Sequence, residues 1–150
     1  MTPVFFYHLE QQSLESVLPK LLTASLDRGW RVVVQTGSDE RAEALASLLW
    51  TFDEESFLPH GTKADGAPAL QPIWLTAGDD NPNGAPVRFF VDGAKAGEID
   101  GLVRAVILFD GRDADALEGA RTGWKRFKKE GREVTYWQQD EHGHWQNRAA

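Results

Sequence analysis

The part of the chain that most constrains its fold is a strand-like run that feeds a helix and then a second strand. Val103-Arg104-Ala105-Val106-Ile107-Leu108-Phe109 is β-branched and aromatic, of strand length, and leads through Asp110-Gly111-Arg112 to Asp113, a residue suited to cap a helix. Leu117, Ala120, Trp124 and Phe127 then recur at helical spacing until Gly131, a helix stop, and residues 133–138 return to a strand pattern. Strand, helix and strand in that order imply parallel strands joined by a right-handed crossover.

The same alternation opens the chain. Val4-Phe5-Phe6-Tyr7-His8-Leu9 reads as a buried strand. Ser13 is placed to cap a helix in which Leu14, Val17, Leu18, Leu21, Leu22 and Leu26 keep the 3.6 period up to Gly29, with Pro19 kinking it or delaying its start. Residues 30–35 predict a second strand, and Thr36-Gly37-Ser38 turns the chain into a helix over 39–50. Residues 51–70 read as a long connection, followed by strands at 73–76 and 87–91 with a turn at 79–84 between them. The tail, 141–150, is polar and is expected to be mobile apart from Trp145. The whole predicts a single α/β domain over 1–150, a mainly parallel sheet flanked by helices, with one core.

Composition narrows the function classes. A net charge of −7 opposes non-specific wrapping of nucleic acid. The absence of cysteine removes disulfides, thiolate metal sites and a cysteine nucleophile. No apolar run approaches the roughly 20 residues of a membrane span, and the sequence predicts a soluble, untargeted, cytoplasmic protein.

The search for chemistry finds no catalytic or metal constellation. No strand is followed by a glycine-rich phosphate loop; Thr36-Gly37-Ser38 offers one glycine at a helix N-terminus. His142 and His144 lack a third ligand at a recognisable spacing, His8 sits in a strand, and His60 has no nucleophile and acid in a known order around it. The run Asp53-Glu54-Glu55 reads as a solvated face. An α/β nucleotide- or small-anion-binding enzyme domain, using Ser38 and His60, is the alternative left open.

Two binding constellations stand out. Residues 121–132 hold six cations (Arg121, Lys125, Arg126, Lys128, Lys129, Arg132) against one anion, Glu130, a local balance of +5. At helical spacing Arg121, Lys125, Lys128 and Arg132 form a ridge beside the stripe of Leu117, Ala120, Trp124 and Phe127. Arg121 and Lys125 could clamp a carboxylate while the Trp124 indole takes an apolar group; against this, Trp124 shares its stripe with Leu117 and Phe127 as a core residue would, and Lys/Arg on the outer face of such a helix is ordinary. The second is Trp50-Thr51-Phe52 with Phe57-Leu58-Pro59-His60, large apolar groups at a helix end and in a loop, suited either to a protein partner or to folding back over the core.

Taken together, Phe6-Tyr7-His8-Leu9, Leu49-Trp50-Thr51-Phe52, Phe57-Leu58-Pro59-His60-Gly61, Gln71-Pro72-Ile73, Phe109-Asp110-Gly111, Ala120-Arg121 with Trp124-Lys125, and Tyr136-Trp137-Gln138-Gln139 resemble the chi subunit family of bacterial DNA polymerase III over nearly the whole chain. The resemblance implies an α/β domain similar to mononucleotide-binding folds, without catalysis, cofactor or metal. It implies an adaptor that ties the clamp loader, through the psi subunit or an equivalent, to single-stranded DNA-binding protein, touching nucleic acid only indirectly. The acidic tail of that protein, with its terminal Pro-Phe, is then expected at Arg121, Trp124, Lys125 and Lys128. The psi subunit, or in some relatives a helicase-like repair protein, is expected at Trp50, Phe57, Leu58 and Pro59.

Overall fold

The computed structural model describes residues 1–51 and 58–148. Eight strands form one sheet in the order β3-β4-β2-β5-β6-β1-β7-β8. They are β1 (Val4–Leu9), β2 (Val32–Gln35), β3 (His60–Gly61), β4 (Ile73–Thr76), β5 (Val87–Phe90), β6 (Arg104–Asp110), β7 (Val134–Gln139) and β8 (Trp145–Asn147). Every pairing is parallel except that of β7 with β8. Helices α1 (Leu14–Asp27) and α2 (Asp39–Thr51) pack on one face and α3 (Ala114–Lys129) on the other. The predicted α/β class and mainly parallel sheet are what the structure has.

Local chemistry explains the helices. Ser13 caps α1 by accepting the Ser16 amide, and Val17, Leu18 and Leu22 turn inward. Pro19 neither delays nor ends the helix: it lies in the second turn, where its missing N–H costs only the bond to the Glu15 carbonyl in the exposed first turn. Gly29, at φ +81°, supplies the left-handed residue that stops α1. In the sheet, β5 is buried at all four positions because it lies between β2 and β6 with both faces covered.

Three segments differ from the sequence reading. The connection 51–70 contains β3, since His60 and Gly61 pair with Ile73 and Trp74, and a 3-10 turn at Pro68–Leu70. A two-residue edge strand has too short a pattern to announce itself. The 79–84 turn does not join neighbours, because β4 and β5 lie on either side of β2. Residues 77–86 stand in for a crossover helix: Ala85 covers Val33 and Trp74, Asp80 accepts the Trp74 indole N–H at 2.8 Å, and Arg88 donates to the Gly78 and Asp80 carbonyls. The tail segment, read as frayed, turns on the Asp140 carboxylate, which accepts the His142 and His144 amides, and pairs β8 with β7.

The helix end also departs from expectation. Arg132 does not extend the cationic ridge: beyond Gly131 the chain has left the helix, and the guanidinium is buried, donating to Glu130 and Asp100 at 2.7 Å each. Those bonds hold the Asp100 and Glu130 carboxyls below the usual carboxylate range. Among the described residues, no helix is long and apolar enough to cross a membrane, and no group of three or more His, Cys, Asp or Glu could hold a metal ion.

Two outcomes follow from these contacts. A Cβ on Gly37 would lie 2.4 Å from the Asp92 carbonyl oxygen, a backbone atom, so Gly37→Ala should cost roughly 1–3 kcal/mol in urea unfolding. Carboxylates depressed in the folded state stabilise it above their ordinary pKa of about 4, and that contribution is lost as pH falls through the depressed values. The melting temperature should therefore fall on acidification, and fall less steeply in Arg132→Met.

Candidate peptide-binding site on the third helix

Asp113 caps α3 by accepting the Asp115 and Ala116 amides, and the charges along the helix are segregated. The carboxylates of Asp113, Asp115 and Glu118 come first along it, followed by the cations Arg121, Lys125, Arg126, Lys128 and Lys129. That order suits the helix dipole, so part of the ridge is ordinary helix chemistry. What separates structural from available cations is where each side chain ends.

Arg126 is structural. It donates to the Ala96 and Gly97 carbonyls at 2.6 and 2.8 Å and to Glu130 at 3.1 Å, clamping the β5–β6 connection onto α3. Arg121 is 65% exposed and among the described residues pairs only with Glu118, at 4.0 Å, a distance that contributes little at a surface. Lys125 is exposed and makes no ion pair among the described residues. The Lys128 ammonium lies 5.3 Å from the centre of the Trp124 ring. Arg121, Lys125 and Lys128 thus surround Trp124 with charge not committed elsewhere.

Trp124 is half-buried, with the Phe6 ring 5.9 Å and the Tyr136 ring 5.6 Å from its own, both edge to face. Phe127, on the same stripe, is fully buried and is the helix's core anchor. Tyr136, also half-buried, is a residue the sequence reading quoted without assigning to the site. Its hydroxyl lies 2.6 Å from His8 Nδ1, which fixes the ring, and burial raises its pKa against the opposing charge of Arg121. His8 Nε2 is 2.7 Å from Glu10 but out of line for a hydrogen bond. The alternation Val134, Tyr136, Gln138 puts Tyr136 on the α3 face; that β7 lies beside β1 is a tertiary fact. Together Trp124 and Tyr136 form an aromatic floor beside three cations.

The opposite flank of α3 is less suited to an anion. There Gly119, Ala120 and Gly123 leave an open cleft of about 1080 Å³ against Phe90, Ile107 and Phe109, its rim mixing carboxylates such as Asp113, Asp115 and Glu118 with Arg41, Lys95, Arg112 and Arg126. Three of those arginines are paired with carboxylates, so the rim offers an acidic chain little free positive charge.

The second predicted patch is only partly brought together. Trp50, at the end of α2, is 52% exposed and its ring lies 4.3 Å from that of His60. Leu58 is buried in the main core and Pro59 is half-buried, so Trp50 is the large projecting group of the three. Phe57 lies outside the described residues. His60 is itself buried, with both ring nitrogens within 2.6–2.8 Å of carbonyl oxygens of Leu58 and Ala46, so it fastens the loop to α2.

Ser38 and His60, the pair behind the enzyme alternative, do not converge. Ser38 accepts the Arg41 amide at the N-terminus of α2, whereas His60 bonds to the Ala46 carbonyl and meets the Trp50 ring in that helix's C-terminal half. The Asp92 carbonyl also closes over Gly37, beside the helix N-terminus where an anion would sit.

The sequence model of the DNA polymerase III chi subunit, HolC, matches residues 1–135. The chain belongs to this family. A protein of Rickettsia prowazekii (strain Madrid E), "Probable DNA polymerase III subunit chi", is 32% identical over 85 residues. That alignment covers 57% of this chain and 52% of the relative, so the chain spans about half the length of the curated relative it matches. The chi family match contains all of α3 and the Trp50 patch and ends one residue before Tyr136.

The burial contrast along α3 has a measurable consequence. Phe127→Ala should destabilise by ~3–5 kcal/mol, as large core aromatics do, and Trp124→Ala by clearly less. Equal losses in urea unfolding would mean that Trp124 is core and not floor.

Proposed function

We propose that the chain is a non-catalytic adaptor of the DNA polymerase III holoenzyme that docks short peptide segments of its partners. The observation that carries the reading is the cluster of Arg121, Lys125 and Lys128 around a half-buried Trp124 in a protein of net charge −7. Cations meet carboxylates along an acidic peptide, and the Trp124–Tyr136 floor meets a terminal aromatic ring. Membership of the chi family supports the acidic C-terminal tail of single-stranded DNA-binding protein as that peptide, so that at α3 nucleic acid is engaged only through the protein bound to it.

In the same reading Trp50, with Phe57 and the neighbouring Leu58 and Pro59, takes the psi subunit or an equivalent clamp-loader protein. A helicase-like repair protein is a second user of that face. The two patches lie on different helices and opposite faces of the sheet, which lets one chain hold two partners at once. No cofactor or metal enters this reading, and its setting is the cytoplasm.

The test is a titration with a peptide copy of the host's single-stranded DNA-binding protein tail. Binding is expected with micromolar Kd, weaker as salt rises, and reduced at least about tenfold, or 1.4 kcal/mol, by Arg121→Ala or Trp124→Ala but unaffected by Trp50→Ala. A folded protein that ignores the peptide at low salt ends the proposal.

A further inference from the structure

The α1–α2 face of the sheet is covered unevenly. α1 packs mainly over β2 and β6 and α2 over β3 and β4, so β1, β7 and β8 extend beyond both helices. Strand alternation projects Phe5 and Tyr7 onto this face, and the pairing of Tyr7 with Trp137 puts that indole beside them. The Trp145 ring of β8 stands edge-on to Tyr7 at 5.2 Å, and Trp30 lies just ahead of β2. All five residues are partly exposed; Phe5, Tyr7, Trp30 and Trp145 rest with one side on the core, and the Trp137 indole nitrogen is turned inward without a partner among the described residues.

Two guanidiniums lie on these rings. Arg104 is 4.2 Å above Phe5 and 5.1 Å from Trp30, and Arg28 is 5.0 Å from Trp30. Among the described residues neither Arg28 nor Arg104 has a carboxylate partner; Arg31 and Arg88, which also lack one, are committed to backbone carbonyls. Burial, and then the charge of Arg28, lower the pKa of Arg104. Two like charges held together without a carboxylate complement an anion, and partly exposed rings complement flat apolar groups.

We propose that this face binds single-stranded nucleic acid, with bases stacked on Tyr7, Trp137 and Trp145 and phosphates at Arg28 and Arg104. An acidic protein segment shares the charge complementarity, but the surface is rich in rings relative to charge, which suits a polymer that presents one flat base with each phosphate. The site stands on the opposite face of the sheet from α3 and is independent of the peptide reading. For an adaptor carried on protein-coated single strands, it would grip exposed nucleotides beside the tether.

The six indole N–H signals of the ¹⁵N-labelled chain separate the outcomes during titration with a short oligothymidylate at low salt. Trp30, Trp137 and Trp145 should shift while Trp50, Trp74 and Trp124 stay in place. With two phosphates neutralised and a slope of about −0.7 for each, a fourfold rise in salt should weaken binding roughly sevenfold. Arg28→Ala, at an exposed helix end, and Trp145→Ala should each weaken it at least about fivefold, with circular dichroism verifying the fold, while Arg121→Ala should leave it unchanged. The proposal is overturned by absence of binding, by shifts centred on Trp124 that vanish in Arg121→Ala, or by polyglutamate moving the same three indoles as strongly as the oligonucleotide.

Discussion

Phe6 is the contact on which the α3 face is built. It lies in β1, which pairs with both β6 and β7, and its fully buried ring meets Trp124, Phe127 and Tyr136 at centroid distances between 5.9 and 6.3 Å. The helix lies close to the strand: a Cβ on Gly123 would sit 3.6 Å from the Phe6 ring, in ordinary van der Waals contact. Phe127 is drawn fully inside, and Trp124, one turn earlier and rotated toward β7, is held with one side buried and the other in solvent. The half-exposure of Trp124 is therefore a product of core packing.

The same geometry sorts the charges. Cations whose side chains reach a carbonyl or a carboxylate become structural, as Arg126 does at the 96–97 segment, Arg88 at the 77–86 loop and Arg132 between Asp100 and Glu130. Those that reach neither, or reach one only at the limit of an exposed ion pair as Arg121 does with Glu118, keep their field. Arg121, Lys125 and Lys128 do so beside one aromatic group, and Arg28 and Arg104 beside another on the far face. Net charge alone would have predicted an anion-repelling protein; its distribution makes two local exceptions.

Much of the framework is legible in the residues themselves. The apolar runs of β1 and β6, the caps Ser13 and Asp113, and the stops at Gly29 and Gly131 each act over a few neighbours, so a local pattern is enough to place them. What escaped was whatever depends on a distant partner. β3 is two residues long and exists because β4 offers it an edge; the 77–86 loop packs as a helix would because Arg88 and Trp74 bind its backbone and Asp80; β8 forms because β7 is there to pair with.

Of the candidate site, the sequence determined that Arg121, Trp124, Lys125 and Lys128 share one side of a capped helix, because helical periodicity is a property of consecutive residues. It could not tell Trp124 from Phe127 in burial, or separate Arg132 from the ridge, since their stripe and charge are alike along the chain. Only the tertiary structure set Tyr136 and His8 beneath Trp124, buried Leu58 while leaving Trp50 out, and parted Ser38 from His60. The reason is physical: exposure and partnership are fixed by which strand lies beside which, and that order, with β1 between β6 and β7, is written in contacts more than 90 residues apart.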